Sequence, residues 1–348
     1  MTTHDDVRSA ARAAVSSGAG SLDGAAAVHT EGLVRRFGEV TAVDGIDLTI
    51  PAGEIYGFLG PNGAGKSTTV RMLCTLLAPS AGRARVAGYD VATHPGDVRL
   101  RIGVALQEAA LDPKQTGAEL LRLQGLLYGL PRRALAGRVA ELGELIDIGD
   151  ALHRPIATYS GGMRRRLDLA AALVHNPHIL FLDEPTTGLD PVSRTSVWAE
   201  VRRLNRELGM TILLTTQYLE EADELAHRVG IIDRGRIVAE GTPADLKRTV
   251  GSDVIVARVD GDPAAVCPVV EAVPGVESVE VHGSELVIAT ARGPATISPV
   301  AVALAGCEVS VRELTLRTPT LDDVFLDLTG SHIERDGSAP EDPEEVAS

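Results

Sequence analysis

Residues 60–68 read Gly60-Pro61-Asn62-Gly63-Ala64-Gly65-Lys66-Ser67-Thr68 and match the phosphate-binding pattern G-x-x-x-x-G-K-[ST] at every defined position. Glycines let the backbone turn so that successive N–H groups point inward and form an anion-binding nest at the start of a helix. Lys66 would add a positive charge for the outer phosphates, and the Ser67 hydroxyl would bind Mg²⁺. The sequence therefore predicts that this loop binds ATP or GTP.

The residues on either side of this loop support that interpretation. Residues 54–59 form a short apolar run typical of a buried strand, and residues 69–77 have the pattern of a helix. A phosphate loop requires this strand, loop and helix order, so a chance glycine-rich turn is the weaker alternative. The chain has only three lysines, Lys66, Lys114 and Lys247. Because lysine is rare in this chain, its presence at position 66 supports a phosphate-binding role, for which a compact charge on a flexible stem is suited.

Composition limits the classes of protein to consider. The 348 residues are 44% hydrophobic and carry a net charge of -15, which favours a globular protein and argues against a nucleic-acid-binding surface. The cysteines Cys74, Cys267 and Cys307 are widely separated, so they indicate neither a disulfide framework nor a zinc site. No apolar run in the sequence approaches the roughly 18 residues of a membrane span, so a membrane function would need a second, membrane-spanning chain.

Changes in pattern along the chain divide it into four predicted segments. Residues 1–27 are rich in Ala, Ser and Gly and are predicted to be a disordered arm. Residues 28–250 hold the phosphate loop and the strands around it, with a helical insertion at about 108–175. Residues 251–330 have the βαββαβ order of a ferredoxin-like domain, and residues 331–348 are an acidic tail predicted to be disordered.

Two further stretches carry candidate chemistry. Residues 179–185 form an apolar run typical of a strand buried on both faces, and Asp183 and Glu184 at its end could supply a metal ligand and a base. A pair of solvated carboxylates at a strand end is the weaker alternative. Ser160, followed by two glycines at the start of a helix, would cap a second anion site.

Two side-chain interpretations stay open at the level of single residues. Phe37 lies on or just after the first predicted strand, where it could stack on adenine, although an ordinary core phenylalanine is the commoner case. The arginines that follow the two glycines favour a solvent-exposed helix face. They are Arg164, Arg165 and Arg166.

Together these motifs resemble the ATP-binding subunits of ABC transporters, over residues from about 28 to 330. The resemblance implies an α/β P-loop fold with a RecA-like mixed-sheet core, an antiparallel β subdomain, a helical subdomain and a small C-terminal α+β ferredoxin-like domain. It also implies ATP and Mg²⁺ as cofactors. The residues that it implies bind ATP are Phe37, Gly60, Pro61, Asn62, Gly63, Ala64, Gly65, Lys66, Ser67, Thr68, Gln107, Ser160, Gly161, Gly162 and Asp190.

The same resemblance assigns catalytic and metal-binding positions. Glu184 would be the catalytic base, and Gln217 would be the switch residue that contacts the γ-phosphate. The residues implied to bind Mg²⁺ are Ser67, Gln107 and Asp183.

Two departures from the family pattern bear on mechanism. The signature reads Tyr159-Ser160-Gly161-Gly162-Met163, where the family usually has Leu-Ser-Gly-Gly-Gln. The switch position, usually His, is Gln217, whose amide can donate a hydrogen bond but cannot relay a proton. With the appended C-terminal domain, both departures resemble the daunorubicin/doxorubicin resistance branch, which pairs such a subunit with a separate membrane permease.

The resemblance further implies partners and a location. It implies a separate transmembrane permease, a homodimer in the ATP-bound state, no nucleic-acid partner, and a cytoplasmic position on the inner face of the cell membrane. Two alternatives stay open. One is a soluble ABC protein of translation or DNA repair, a class that usually has two ATPase cassettes. The other is a regulatory ATPase not coupled to transport, in which the C-terminal domain senses a ligand.

Overall fold

A computed structural model of the chain describes residues 26–106, 111–260, 263–307 and 309–330. Within these ranges the chain divides into two units, the first ending at Pro243 and the second beginning at Ala244. This division falls earlier than the predicted domain boundary after Val250. Of the predicted N-terminal arm only residues 26 and 27 are described, and both lie in a strand. The predicted tail, 331–348, lies outside the described residues.

Strands and helices alternate along most of the first unit, and elements of both units are numbered here in chain order. The strands are β1 (Ala26–Phe37), β2 (Val40–Pro51), β3 (Ile55–Leu59), β4 (Ala81–Val86), β5 (Tyr89–Asp90), β6 (Ile102–Ala105), β7 (Ile179–Asp183), β8 (Thr211–Thr216), β9 (Arg228–Asp233), β10 (Arg236–Gly241), β11 (Asp253–Asp260), β12 (Val276–His282), β13 (Glu285–Thr290) and β14 (Ser310–Arg317). The helices are α1 (Lys66–Leu73), α2 (Pro95–Arg99), α3 (Gly117–Leu127), α4 (Arg132–Leu145), α5 (Gly161–Leu173), α6 (Pro191–Leu208), α7 (Leu219–Leu225), α8 (Pro243–Val250), α9 (Cys267–Glu271), α10 (Gly293–Ala305) and α11 (Leu321–Thr329).

A six-stranded sheet in the order β10-β9-β3-β8-β7-β6 forms the centre of the first unit. Strands β9, β3, β8, β7 and β6 are parallel, and β10 is an antiparallel edge strand. Every residue of β3, β7 and β8 is buried. Burial on both faces explains why β3 and most of β7 read as apolar runs in the sequence. The parallel arrangement brings the carboxyl ends of β3, β7 and β8 to one edge of the sheet, where ligands bind in such folds.

A second, antiparallel sheet of the first unit has the order β2-β1-β4-β5. Strands β1 and β2 form a hairpin that closes at the Phe37–Val40 pair. Strand β4, which follows the phosphate-loop helix in sequence, pairs with β1 on its other side. The predicted antiparallel subdomain is therefore confirmed, with two of its four strands, β4 and β5, supplied from beyond the phosphate loop.

Helices α3, α4 and α5 form the predicted helical subdomain. Helix α3 begins with a capping box, in which the Thr116 hydroxyl accepts from the Glu119 N–H and the Glu119 carboxylate accepts from the Thr116 N–H. On α5, Leu167 and Ala170 are fully buried. None of the helices in the described ranges is both long and apolar enough to cross a bilayer.

The second unit has an antiparallel sheet in the order β12-β13-β11-β14. This strand order, with α9 and α10 in the two connections, is the arrangement that the predicted ferredoxin-like βαββαβ pattern requires. Alternate residues of β11, namely Ile255, Ala257 and Val259, are buried in its core. The last strand of this sheet, β14, ends at Arg317.

Candidate active site

The phosphate loop is held where only glycine fits. Gly65 caps α1 with a φ of 107°, in the left-handed region that other residues rarely adopt. A Cβ on Gly65 would lie 2.5 Å from the carbonyl oxygen of Ala42, and one on Gly60 would lie 2.3 Å from that of Ile232. The backbone of the loop is therefore packed directly against the residues of β2 and β9, and any side chain at these two glycines would displace it.

Lys66 lies at the centre of the site and is only 4% exposed. Its Nζ donates to the carbonyl oxygens of Gly60 at 2.6 Å and Pro61 at 3.0 Å. It also lies 3.7 Å from Glu184 Oε1. Burial lowers the pKa of Lys66 from its usual value, whereas the carboxylates of Glu184 and Asp183 act in the opposite direction. The cation therefore faces both the loop and the two carboxylates at the carboxyl end of β7, Asp183 and Glu184.

Asp183 joins the phosphate loop to strand β8. Its Oδ1 accepts a hydrogen bond from Ser67 Oγ at 2.9 Å and another from Thr215 Oγ1 at 2.5 Å. A hydroxyl and a carboxylate are the oxygen ligands that Mg²⁺ takes when it keeps several waters and binds substrate phosphates, so this pair fits that ion. Gln107, the other predicted ligand, lies outside the described residues. Thr215 was not predicted, because nothing in its own strand indicates a partner on β7.

Glu184 is buried and held by its backbone. Its N–H donates to both the hydroxyl and the carbonyl oxygen of Thr215, each at 3.1 Å. Its φ is 48°, a left-handed conformation that costs a non-glycine residue about 1–3 kcal/mol. The Thr187 hydroxyl donates to Glu184 Oε2 at 3.3 Å. These contacts fix the carboxylate beside Lys66 at the carboxyl edge of the sheet.

Gln217 lies at the same edge and is buried. It follows Thr216, the last residue of β8, which pairs with Leu59, the last residue of β3. Gln217 therefore begins the loop after β8, just as Gly60 begins the phosphate loop after β3. The N–H of Tyr218 donates to Thr216 Oγ1 at 2.8 Å and turns the chain away from the strand. The predicted switch residue thus lies directly after β8, the strand between the two that lead into the phosphate loop and Glu184.

The signature residues cap helix α5 and are anchored by Tyr159. Ser160 is the N-cap, and its hydroxyl accepts from the N–H of Met163 at 3.2 Å. The buried Tyr159 hydroxyl donates to the carbonyl oxygen of Ala151 at 2.5 Å. A Cβ on Gly117 would lie 2.8 Å from that hydroxyl. The unusual tyrosine therefore binds the signature to the helical subdomain through a hydrogen bond that the usual leucine could not form.

Asp190, predicted to bind ATP, is the N-cap of helix α6. Its Oδ1 accepts from the N–H groups of Val192 at 3.1 Å and Ser193 at 3.0 Å, and its Oδ2 accepts from Ser193 Oγ at 2.6 Å. The hydrogen bond from the Ser193 hydroxyl is the main cause of the lowered pKa of Asp190. A Cβ on Gly162 would lie 2.8 Å from Ser193 Oγ, so this cap packs against the signature. Its contact with nucleotide stays a prediction.

Phe37 lies at the end of β1 and is 47% exposed, so it is not a core side chain. The guanidinium of Arg35 stands over its ring, 4.5 Å from the centroid. An exposed aromatic ring with a cation on one face leaves a surface on which a base can stack.

The structure therefore brings the predicted site residues together in two groups. The first group is a connected cluster of Lys66, Ser67, Asp183 and Glu184. The second group is the signature, which contacts the Asp190 cap. Within the described ranges, no hydrogen bond or ion pair joins Ser160 to residues 60–68.

The prediction that all three arginines of the signature helix face solvent is wrong for Arg165. Its side chain is 11% exposed, and its Nη1 lies 3.1 Å from Oδ2 of Asp168, which is also largely buried. The i, i+3 spacing of the two residues was the signal in the sequence that could have indicated this pair.

Burial raises the pKa of Asp168 to about 6, and the opposing effect of Arg165 does not offset it. An Asp whose pKa is raised in the folded state contributes stability that is present below its unfolded pKa and lost as the pH rises through about 6. We therefore expect the free energy of unfolding of wild type, compared with that of Asp168→Asn, to increase by about 1 kcal/mol when the pH is lowered from about 7.5 to about 5. Urea unfolding of both proteins at several pH values measures this, and a difference that is constant with pH would contradict it.

Comparison with known proteins gives matches over both units. A family model described as "ABC transporter" matches residues 43–187, and one described as "ATP-binding protein DrrA1-3-like, C-terminal domain" matches residues 241–329. The chain is 48% identical over 322 residues to the daunorubicin/doxorubicin resistance ATP-binding protein DrrA of Streptomyces peucetius, covering 92% of this chain and 97% of that protein. It is 42% identical to the doxorubicin resistance ATP-binding protein DrrA of Mycobacterium tuberculosis, covering 87% and 93%.

Solved structures also match a large part of the chain. The cbiO1 protein of Clostridium perfringens, described as part of an ABC transporter complex, superposes with a TM-score of 0.60 and 26% sequence identity. The match covers 65% of this chain and 93% of that one.

Proposed function

Since the chain belongs to the ATP-binding proteins of ABC transporters, and is therefore an ATPase, we propose that it energises the export of a hydrophobic drug through a separate membrane permease. The observation that carries the proposal is the connected cluster of Lys66, Ser67, Asp183 and Glu184 at the edge of the central sheet. The drug class is suggested by two relatives named for resistance to daunorubicin or doxorubicin. Binding to the permease would place the chain on the inner face of the cell membrane.

The phosphate loop and β7 would bind the nucleotide. Lys66 supplies the positive charge for the outer phosphates, and the N–H groups of the loop bind their oxygens. Ser67 and Asp183 would hold Mg²⁺ together with Gln107. When bound, that ion would neutralise charge on the phosphate oxygens.

Glu184 would act as the general base. Its carboxylate lies beside Lys66. From there it would orient and deprotonate a water that attacks the γ-phosphate. Gln217 would donate a hydrogen bond to that phosphate from its side-chain amide, which has no titrating proton to relay. In this arrangement Glu184 alone of the two would accept the proton from the attacking water.

Two copies of the chain would complete each site. The free N–H groups at the start of α5 and the Ser160 hydroxyl are suited to bind phosphate oxygens. Because Ser160 is not joined to the phosphate loop of its own chain, we propose that Ser160, Gly161 and Gly162 bind the ATP held by a second copy. Asp190, which packs beside Gly162 through Ser193, would lie at the same interface.

Phe37→Ala is expected to weaken ATP binding by about 10- to 100-fold, because a base stacked on an aromatic ring contributes about 1–3 kcal/mol. Phe37→Tyr retains the ring and is expected to retain affinity. Binding of a fluorescent ATP analogue to the full chain measures both. Equal affinities of the Ala variant and wild type would mean that Phe37 does not stack on adenine.

Transport itself can be tested in inverted membrane vesicles. The reading frames next to this one would first be searched for a membrane protein, which would be produced together with the chain, and daunorubicin uptake would be followed by fluorescence. We expect uptake that requires ATP, this chain and the membrane protein together, and that is lost in Glu184→Gln. ATP hydrolysis without uptake, combined with drug binding by this chain alone, would instead favour the regulatory ATPase. Stimulation of hydrolysis by DNA or RNA would favour a role in repair or translation.

A further inference from the structure

The buried Arg165 joins three segments of the first unit through backbone carbonyls. Its Nη1 donates to the carbonyl oxygen of Leu106 at 2.7 Å, its Nε to that of Pro185 at 2.9 Å, and its Nη2 to that of Asp183 at 3.3 Å. The Asp168 carboxylate balances its charge from the next turn of α5. A planar guanidinium can reach carbonyls in three directions at once, which a lysine ammonium on its single stem cannot reproduce.

The three carbonyls flank residues with proposed roles at the nucleotide. Leu106 follows β6 and directly precedes Gln107, a predicted Mg²⁺ ligand. Asp183 and Pro185 directly precede and follow Glu184. One guanidinium therefore holds the backbone on both sides of the proposed base and at Leu106, the residue that precedes Gln107 in the sequence.

The other end of this connection is the signature. Arg165 lies on α5, the helix that Ser160 caps, and the five residues from Gly161 to Arg165 are continuous helix. A helix transmits displacement along its axis because each turn is hydrogen-bonded to the next. A shift of the Asp183–Pro185 backbone would therefore move Ser160 through Arg165.

The neighbouring arginines, Arg164 and Arg166, do not bind the backbone around Glu184 or at Leu106, so they provide a comparison. Arg164 Nε donates to the carbonyl oxygen of Tyr159 at 3.2 Å, within its own segment. Arg166 Nη1 donates to the carbonyl oxygens of Ile146 at 3.1 Å and Asp147 at 2.8 Å, both in the helical subdomain. Arg166 therefore matches Arg165 in helix, residue type and kind of bond, but it has none of the bonds to β7 or to Leu106.

We propose that Arg165 is a positioning residue that couples the two ATP sites of the dimer. The inference rests on the proposed function, in which Ser160 of each copy contacts the ATP of the other. A change around Glu184 when ATP binds or is hydrolysed would pass through Arg165 to Ser160 of the same chain, and so to the site of the second copy. Allosteric coupling of this kind is a free energy shared between two sites, and it is measured as cooperativity.

The test compares Arg165→Lys and Arg165→Met with the matched control Arg166→Lys, each in the full chain. Wild type and Arg166→Lys are expected to hydrolyse ATP with a Hill coefficient clearly above about 1, with about 2 as the limit for two sites. In both Arg165 variants the Hill coefficient is expected to fall to about 1, and the saturated rate to fall about 10-fold or more through misplacement of catalytic groups. Binding of a fluorescent ATP analogue at the phosphate loop is expected to stay within about twofold of wild type, because Arg165 does not contact nucleotide.

Several outcomes would overturn the proposal. If Arg165 only supports the fold, its variants would melt earlier and hydrolyse more slowly but keep the wild-type Hill coefficient. Loss of cooperativity in Arg166→Lys as well would point to general loosening of the helix. Separately, size-exclusion chromatography of Glu184→Gln with and without ATP tests the dimer itself. A monomer under both conditions would contradict the shared site and with it the coupling, whereas an ATP-dependent dimer with a wild-type Hill coefficient of about 1 would overturn the coupling alone.

Discussion

Glu184→Gln is expected to lower the rate of ATP hydrolysis by about 100-fold or more while leaving ATP bound, as loss of a general base does. The amide has nearly the shape of the carboxylate and can still accept from the Thr187 hydroxyl, so the local structure is preserved. It cannot take a proton from the attacking water at neutral pH. ATP that binds without being hydrolysed should accumulate a stable dimer, which size-exclusion chromatography would show.

Glu200→Gln is the matched control for this variant. Glu200 lies on α6, largely buried and 2.8 Å from Arg203, and none of its described contacts is to the nucleotide site. The same chemical change there is expected to leave the hydrolysis rate within about twofold, as for residues outside the catalytic machinery. Hydrolysis by Glu184→Gln at the parental rate would show that Glu184 is not the base.

Lys66→Ala is expected to weaken ATP binding by about 10- to 100-fold, because a hydrogen bond to a charged group contributes about 1.5–3 kcal/mol. The loss has a second physical cause. Without the ammonium group, no nearby positive charge would balance the buried carboxylates of Asp183 and Glu184. Their negative charge would then repel the negatively charged triphosphate of ATP. Calorimetric titration with Mg²⁺ and ATP measures the change directly.

Two variants separate charge from geometry at this position. Lys114→Ala, at an exposed position, removes the same side chain and is expected to leave ATP affinity unchanged. Lys66→Arg keeps the charge but replaces a compact ammonium by a planar fork that does not fit the tight loop, so it is expected to lose most of the affinity. Full affinity in Lys66→Arg would mean that charge alone matters there.

Much of the fold could be predicted because its signals are local. The glycines and Lys66 of the phosphate loop, the apolar runs that became β3 and β7, and the βαββαβ rhythm of the second unit each lie within a short window of sequence. Binary pattern and turn chemistry are sufficient there. Asp183 and Glu184 could be proposed as site residues from their place at the end of an apolar run, which the structure confirms as the buried strand β7.

What could not be predicted depends on contacts between distant segments. Thr215 binds Asp183 and Glu184 from the neighbouring strand, and no pattern within β8 distinguishes it from an ordinary strand threonine. Arg165 was assigned to solvent together with Arg164 and Arg166. Three consecutive residues point in different directions around a helix, however, and only the tertiary structure shows which of them is buried. Side-chain partners across a fold are set by packing, which periodicity does not encode.

The buried bond between Tyr159 and Ala151 has a consequence for how this family can vary. The Tyr159 hydroxyl occupies the space where a side chain at position 117 would begin, so Gly117 and Tyr159 form one steric unit. Chains with leucine at the first signature position lack the nearest obstacle to a larger residue at the position of Gly117. We therefore expect these two positions to change together across relatives, so that the pair serves as an inherited marker that distinguishes tyrosine-type signatures from leucine-type ones.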